Sequence, residues 1–347
     1  IRDRDRLYEN DGQANFVKDI DALPEIWGSG SCVRPVDFDK DGDMDLFVGG
    51  RHYPKKYPSP GISYLLENEN GKFRDVTAEK APELSDIGMV TDAYWDDLND
   101  DGEIDLLVAG EWMPVTFFMQ EGGKLNNKTD LYGPPDSEGW WTRIVASDLD
   151  DDGDLDFVLG NLGKNYKYQA SSEKPFLFYA GDMDENGSYD IVLSWVENGK
   201  NYPVRGRQCS SEQIPEIKKK FPSYEAFGKA TLEEIYGEDL NDALHYKVHT
   251  FANSILWNEG NGRFVLNELP PNAQVSLGNG ILVDDFDKDG AKDIIMAGNL
   301  YTSEVETGRA DAGIGVFLKG DGEGNFKSYT ATTTGLVMDG DVKDISA

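Results

Sequence analysis

The most regular feature of the chain is a short apolar run that follows an acidic segment, and it occurs five times. The runs lie at residues 46–48, 106–108, 157–159, 191–193 and 294–296. Short apolar or β-branched runs bounded by turn-forming residues are typical of buried strands. The pattern therefore predicts a chain built mainly from short strands.

The acidic segments share one motif, D-x-[DN]-x-[DN]-G-x-x-D, and we call them the first to fifth Asp loops. Ca²⁺ binds about 6–8 hard oxygen ligands. Side chains at positions 1, 3, 5 and 9 and the carbonyl at position 7 offer such oxygens, and Gly at position 6 permits a sharp turn. Without a cation these carboxylates would repel one another. The motif predicts about five calcium sites, with ligands at Asp37, Asp39, Asp41, Asp43, Asp45, Asp97, Asn99, Asp101, Glu103, Asp105, Asp148, Asp150, Asp152, Asp154, Asp156, Asp182, Asp184, Asn186, Ser188, Asp190, Asp285, Asp287, Asp289, Ala291 and Asp293.

These loops have two alternative interpretations. An EF-hand closes with Glu at position 12 and is flanked by helices, whereas here the closing acid is at position 9 and a strand follows. Metal-free acidic turns are the other alternative, and their recurrence in register argues against it.

A second motif, a turn rich in Gly and Asn that ends in an apolar residue, alternates with the loops. It occurs at residues 10–16, 68–73, 258–264 and 319–326, with a degenerate copy at 120–125. Such turns join antiparallel strands. One unit is then strand, Asp loop, strand, longer loop, strand, turn, strand. Four antiparallel strands that recur about every 50–60 residues are typical of a propeller blade.

Together the two motifs resemble FG-GAP/VCBS repeats, the kind found in integrin α-subunit propellers, over nearly the whole chain. The resemblance implies an all-β fold, a β-propeller of four-stranded antiparallel blades with Ca²⁺ between the first two strands of each. It also implies an extracytoplasmic location (secreted, periplasmic or cell surface) and a binding or adhesion role. Residues 161–227 further resemble VCBS-repeat proteins of bacterial surfaces.

The spacing of the loops is irregular in one region. They start at residues 37, 97, 148, 182 and 285, so the third interval is too short for a blade and the fourth is too long. The loop at Asp182 is either an inserted hairpin or the start of its own blade. A capping box at Thr231–Glu234 predicts helix, and we expect a helical insertion over residues 205–248. Residues 1–347 as a whole, with this insertion among them, are expected to form a single propeller that is truncated at both ends. The intact protein is expected to have six or seven blades.

Composition excludes one class of partner. The chain has 33 Lys and Arg against 65 Asp and Glu, a formal net charge of -32. Such a charge repels phosphate backbones, so no nucleic-acid partner is expected. No apolar stretch is long enough for a transmembrane segment. Cys32 and Cys209 lack metal-type spacing, and the sequence leaves open whether they pair.

Propeller ligands commonly bind at the loops that follow the second strands, on the face opposite the Asp loops. Here those loops combine aromatic, amide and basic residues, which suit a protein or glycan ligand. Ordinary packing between blades is the alternative. The candidate ligand contacts are Arg51, His52, Tyr53, Trp112, Asn161, Asn165, Tyr166, Asn299 and Tyr301.

No catalytic arrangement is apparent in the sequence. His245 and His249 have helical spacing, but Tyr246 breaks the H-E-x-x-H pattern, and a structural role is expected. We therefore expect a calcium-stabilised binding or adhesion module and no enzyme. A polysaccharide lyase or hydrolase on a calcium propeller, and a scaffold with flanking domains, remain alternatives.

Overall fold

A computed structural model describes residues 4–303 and 308–346. The first element is a hairpin of two strands, β1 (Leu7–Asn10) and β2 (Phe16–Asp19), which pair antiparallel across a Gly-containing turn. The turn motif has the same place here as in the later sheets, where it joins the third and fourth strands. This hairpin therefore matches the last half of a four-stranded unit, as the sequence predicts.

Two four-stranded antiparallel sheets follow. The first contains β3 (Gly30–Val36), β4 (Asp45–Gly50), β5 (Tyr64–Glu69) and β6 (Lys72–Asp75), in that spatial order. Helix α1 (Thr77–Lys80) and a 3-10 helix (Pro82–Asp86) lead to the second sheet, β7 (Met89–Asp96), β8 (Asp105–Met113), β9 (Thr116–Gln120) and β10 (Leu125–Asn127). Helix α2 (Thr129–Tyr132) follows, and a short strand, β11 (Gly139–Trp140), also pairs with β8.

The third sheet is interrupted. It begins with β12 (Arg143–Ser147) and β13 (Asp156–Gly160), after which the chain forms an inserted sheet of β14 (Phe176–Gly181), β15 (Asp190–Glu197) and β16 (Lys200–Pro203). Helices α3 (Arg207–Gln213), α4 (Glu216–Lys220), α5 (Tyr224–Lys229) and α6 (Leu232–Tyr236), with a 3-10 helix (Gly237–Leu240), precede its last strand, β17 (Leu244–Val248). The chain then completes the third sheet with β18 (Ser254–Asn258) and β19 (Phe264–Glu268).

A fourth regular sheet ends the described β-structure. After a 3-10 helix (Pro271–Gln274) come β20 (Gly280–Asp284), β21 (Asp293–Ala297), β22 (Val316–Gly320) and β23 (Phe326–Tyr329), followed by α7 (Ala331–Thr334). The first strands of successive regular sheets contact one another, β3 with β7, β7 with β12 and β12 with β20. Apolar clusters fill the space between neighbouring sheets, as with Phe47 and Phe118 between the first two. This arrangement is propeller-like.

The inserted sheet answers the question that the loop spacing left open. The Asp182 loop joins β14 and β15 of a separate four-stranded sheet, and that sheet lies within the third one in sequence. Its order, β16-β15-β14-β17, differs from the regular sheets because the last strand returns beside the first.

The predicted helical insertion is shorter than 205–248. Its helices lie between Arg207 and Leu240, and its final residues form the strand β17, which pairs with β14. The capping box of Thr231 and Glu234 is present at the start of α6. Apolar residues of the helices, including Ile217 and Leu232, pack against Leu177 of β14. In the described ranges no helix has the length and apolar character needed to cross a membrane.

Candidate functional site

Each of the five Asp loops joins the first and second strands of a sheet, and all five have the same backbone conformation. The residue at position 4 has a positive φ in every loop, for example 60° at Lys40 and 62° at Lys288. The Gly at position 6 also has a positive φ, 98° at Gly42 and 101° at Gly290, where a residue with a Cβ would be strained. The shared motif therefore produces one recurrent turn.

Hydrogen bonds within the loops orient the acidic side chains. The carboxylate at position 1 accepts the amide of the loop Gly, as Asp37 Oδ2 does from Gly42 at 3.2 Å. The side chain at position 5 accepts the amide at position 7, as Asp41 Oδ1 does from Asp43 at 2.8 Å. The same two bonds occur in the other four loops. The other oxygen of the position-1 Asp accepts the amide at position 5 in the second, fourth and fifth loops. In the first and third loops that oxygen has no hydrogen-bond partner.

Four carboxylate oxygens at positions 1 and 3 of the loops are buried and have no hydrogen-bond partner. They are Asp37 Oδ1, Asp148 Oδ1, Asp150 Oδ1 and Asp184 Oδ1, in the first, third and fourth loops. A buried polar atom without a partner is costly. In four loops, three acidic side chains offer oxygens that lie within 4.8 Å of one another. Converging hard oxygens are the ligands that Ca²⁺ prefers, so these residues fit a hard divalent cation.

The closing Asp at position 9 has a second task that the sequence does not reveal. Asp156 is buried, and its Oδ2 accepts the amide of Leu149 at 3.1 Å while its Oδ1 accepts the amide of Asn258 at 2.9 Å. Asp45, Asp105 and Asp293 make the same pair of bonds. The carboxylate thus fastens the loop to the turn of the same sheet. Burial disfavours its ionised form and raises the pKa of Asp105 and Asp156 to about 7.

Position 7 contributes differently from loop to loop. Glu103 directs its carboxylate to the first loop, where Lys40 Nζ lies 2.9 Å from its Oε2. Position 7 of the fifth loop is Ala291, which has only its backbone carbonyl to offer. A ligand role at this position therefore belongs to the carbonyl oxygen, and the side chain is available for contacts between loops.

A cavity lies at the opposite end of the strands, at the middle of the array. Its volume is about 530 Å³, and it is lined by residues on or next to strands of all four regular sheets, among them Arg51, Glu111, Thr142 and Asn279. Trp140 of β11 also lines it. A second cavity of about 280 Å³ shares Arg51, Glu111 and Trp140 and extends to the inserted sheet at Phe178. We call the two together the central cleft.

A chain of hydrogen bonds organises the wall of the cleft. Arg51 Nε donates to Glu111 Oε1 at 2.9 Å, and Tyr57 donates to Glu111 Oε2 at 3.0 Å. Trp112 Nε1 donates in turn to the Tyr57 oxygen at 2.7 Å. Glu111 is only 2% exposed, whereas the Arg51 side chain is 45% exposed. Burial, with the Glu111 charge, raises the pKa of Tyr57 well above its usual value. The cleft thus combines an accessible guanidinium with an aromatic wall, in which Trp112 and Trp140 pack at 4.9 Å.

The structure brings together four of the nine candidate ligand contacts. Arg51 and His52 line the larger cavity, and Trp112 and Tyr166 line the smaller one. Tyr53 is 45% exposed nearby in sequence but is not part of either lining.

The other four candidates lie elsewhere. Asn161 and Asn299 are fully buried, and their amides bond backbone groups of neighbouring loops, so they brace the loops and do not face a ligand. Asn165 lines a separate groove beside Lys164. Tyr301 lies under the Arg309 guanidinium at 4.4 Å.

Sequence reasoning missed Tyr57, Trp140, Tyr168 and Arg205, which also line the cleft. The adjacent tryptophans 140 and 141 were a visible signal. Arg205 belongs to the insertion, and nothing in the sequence shows that the inserted sheet packs against the cleft.

The two histidines flagged by their spacing lie on and just after a strand. His245 is in β17 and stacks on Tyr179 with ring centroids 4.3 Å apart. His249 Nδ1 lies 2.7 Å from Glu138 Oε2 and 3.5 Å from Asp136 Oδ1. The helical geometry that their spacing would need is absent.

Comparison with known proteins identifies the repeat. The family model for the FG-GAP-like repeat matches residues 97–159, which extend from the second Asp loop through β13. No curated protein matches the sequence significantly. Among solved structures, the chain is similar to a lectin of Agrocybe aegerita that recognises non-reducing terminal N-acetylglucosamine. The identity is 14%, the match covers 93% of this chain and 73% of that one, and the TM-score of 0.32 is too low to carry an argument. The family match shows that residues 97–159 contain an FG-GAP-like repeat, and the Asp loop of that repeat recurs along the chain.

Proposed function

We propose that this protein is a calcium-stabilised binding module that works outside the cytoplasm and holds a protein or glycan ligand in the central cleft. The observation that carries the proposal is the cleft itself, where all four regular sheets and the inserted sheet contribute to one concave surface. Binding sites are commonly concave and largely apolar, with a few polar groups that orient the ligand. Arg51 is exposed and Trp140 is half-buried in the cleft, so both side chains are accessible to a ligand.

Calcium has a structural role in this proposal. The carboxylates of the Asp loops hold the ion, whose charge offsets their mutual repulsion. An ion bound only by the folded protein stabilises it by RT ln(1 + [L]/Kd). Extracellular modules typically bind Ca²⁺ with Kd of about 10⁻⁴–10⁻³ M, which suits a calcium-rich exterior. The Asp loops lie at the far end of the strands from the cleft, so they support the ligand site without touching the ligand.

The calcium part is tested by thermal unfolding in EDTA and after addition of Ca²⁺ or Mg²⁺. Elemental analysis then compares the protein with its dialysate after equilibrium dialysis against about 1 mM Ca²⁺, which fills sites of this affinity. We expect a higher Tm with Ca²⁺ than with Mg²⁺, and several bound ions per chain. Equal melting in all three conditions, with no bound metal, would show that the Asp loops are turns that need no cation.

The ligand part is tested by screening immobilised glycans and surface proteins in calcium buffer, and then by comparing Trp140→Ala with Trp195→Ala. Trp195 is 49% exposed on β15 and lies outside the cleft. Truncating a central aromatic contact costs about 2 kcal/mol or more, which is roughly a 30-fold loss of affinity. We expect this loss for Trp140→Ala alone. If both variants bind the selected ligand as wild type does, the ligand site is not the cleft.

A further inference from the structure

The fifth Asp loop has the same backbone as the others but different electrostatic surroundings. Its turn has the same positive φ angles, and Asp285 accepts the Gly290 amide at 3.0 Å as in the other loops. Its residues at positions 1, 3, 5 and 9 are all Asp, as in the first and third loops, so a difference from those two loops in cation binding comes from position 7 or from neighbouring side chains.

The relevant neighbour is on the third strand of the same sheet. In each regular sheet, the residue that follows the closing Asp pairs with a residue of the third strand. The next residue of that third strand therefore lies opposite the closing Asp. In the fourth sheet Ile294 pairs with Leu318, so the next position is Lys319. The register-matched positions in the four sheets are Glu67, Met119, Trp257 and Lys319. Of these four side chains, only Lys319 is positively charged.

Lys319 directs its ammonium into the loop. Lys319 Nζ contacts Asp287 Oδ2 and lies 2.6 Å from Asp289 Oδ2. These carboxylates are at positions 3 and 5, where the motif supplies metal ligands. The Lys319 side chain is only 30% exposed and the two carboxylates are 41% exposed. In the first, third and fourth loops, by contrast, buried carboxylate oxygens have no hydrogen-bond partner.

The first loop offers the nearest comparison. Lys80 Nζ lies 3.6 Å from Asp39 Oδ2, which is beyond hydrogen-bond distance, and its closer partner is Glu67. That lysine is engaged by an acid outside the loop, whereas Lys319 contacts two acids of the loop itself.

We propose that Lys319 is a built-in counter-charge for the fifth Asp loop, so that this loop folds without a divalent cation and binds Ca²⁺ more weakly than the other loops. The ammonium and a cation compete for the same oxygens of Asp287 and Asp289. A cation can enter only when the lysine leaves, whereas the other loops have no such competitor at the matched position. This inference rests on the calcium part of the proposed function.

The experiment compares wild type with Lys319→Met, which removes the charge and keeps an apolar stem of similar length. Isothermal titration calorimetry, in buffer freed of Ca²⁺ by a chelating resin, counts the tighter Ca²⁺ sites. Thermal unfolding in EDTA reports the stability of the metal-free state. We expect Lys319→Met to bind one more Ca²⁺ tightly than wild type and to melt at a lower temperature in EDTA, with the deficit reduced by Ca²⁺.

Two further variants control the result. Lys327→Met removes the same charge from the cross-strand neighbour of Lys319, whose ammonium lies over the Tyr329 ring 5.5 Å from its centroid. Lys319→Arg keeps the charge at the loop. Both should bind the wild-type number of ions.

The outcomes separate the two proposals. If wild type already binds as many ions as Lys319→Met with the same affinity, the role of Lys319 is refuted while the calcium loops stand. If neither protein binds Ca²⁺, both proposals fall together.

Discussion

Cys32, on β3, is a half-buried residue whose surroundings change its side-chain chemistry. Desolvation raises the pKa of its thiol to about 11, and the Asp92 charge beside it acts in the same direction. Cys209 lies on α3 of the insertion, and the two cysteines form no disulfide with each other. The question of pairing that the sequence left open is thereby answered for this structure.

This environment predicts low reactivity for Cys32. The thiolate is the reactive form, and a pKa of about 11 in place of 9.0 leaves roughly 100-fold less thiolate at pH 8. We expect iodoacetamide to alkylate Cys32 about 100-fold more slowly in the native protein than in guanidinium chloride, as measured by peptide mass spectrometry. Equal rates in the two states would show that the thiol is not buried as described.

At the scale of the element, each Asp loop is both a turn and a candidate metal site, and its positions divide these tasks. In the first and fifth loops the acids at positions 1, 3 and 5 bring oxygens within 4.8 Å of one another. In the third loop, as in the other loops of the regular sheets, the closing Asp accepts two backbone amides. The amides come from the start of the loop and from the turn after the third strand. The loop is therefore anchored to its sheet even before a cation binds.

Two substitutions in the third loop should separate these tasks. Asp156→Asn replaces one of the two acceptor oxygens by an NH₂ donor, which leaves a backbone N–H without an acceptor. We expect the free energy of unfolding to fall by about 1–3 kcal/mol in EDTA as well as in Ca²⁺. Asp152→Asn retains the oxygen that accepts the Asp154 amide at 3.0 Å. It should melt no lower than wild type in EDTA, because it removes one of the charges that repel there, and it should lose part of the gain from Ca²⁺.

Thermal unfolding of the two variants in both buffers checks this division. Identical melting of Asp156→Asn and wild type in EDTA would contradict the anchoring role of the closing Asp.

At the scale of the whole molecule, an ionic chain links the first strands of three sheets. Asp92 of β7 is only 1% exposed and contacts Arg34 of β3, and its Oδ2 accepts the Ile144 amide of β12 at 2.9 Å. Arg143 Nε lies 3.8 Å from the same carboxylate, and its Nη2 lies 2.7 Å from Asp344 Oδ1. The chain fixes how neighbouring sheets face one another beside the central cleft.

Breaking this chain should destabilise the array. Asp92→Asn preserves shape but removes the carboxylate that Arg34 and Arg143 contact. Because these two side chains are 32% and 31% exposed, water compensates part of the loss, and we expect a cost of about 1–3 kcal/mol. We expect a clearly lower urea midpoint for Asp92→Asn than for Asp242→Asn, an exposed acid whose replacement should change stability by no more than about 0.5 kcal/mol. Matching midpoints for the two variants would mean that the ionic chain does not hold the sheets.

The local features of this protein follow from the sequence because their causes lie within a few residues. The Asp loop depends on a nine-residue motif, its positive φ positions and short-range hydrogen bonds, so its place between the first and second strands could be predicted at each of the five copies. The hairpin turns follow for the same reason. Arg51, His52, Trp112 and Tyr166 were found because residues after the second strands must gather at one end of the sheets. The identity of the cation in the loops stays a prediction.

Other features depend on contacts between distant parts of the chain, and only the tertiary structure decided them. Asn161 and Asn299 resemble ligand contacts in sequence, yet packing of neighbouring loops buries them. The Asp156 carboxylate anchors to Asn258, 102 residues away. The inserted sheet pairs β16 with β15, and Arg205, just after β16, thereby reaches the cleft. The sequence determined the repeated unit, because short-range geometry fixes it, whereas the cleft and the Lys319 contact depend on which units and strands become neighbours.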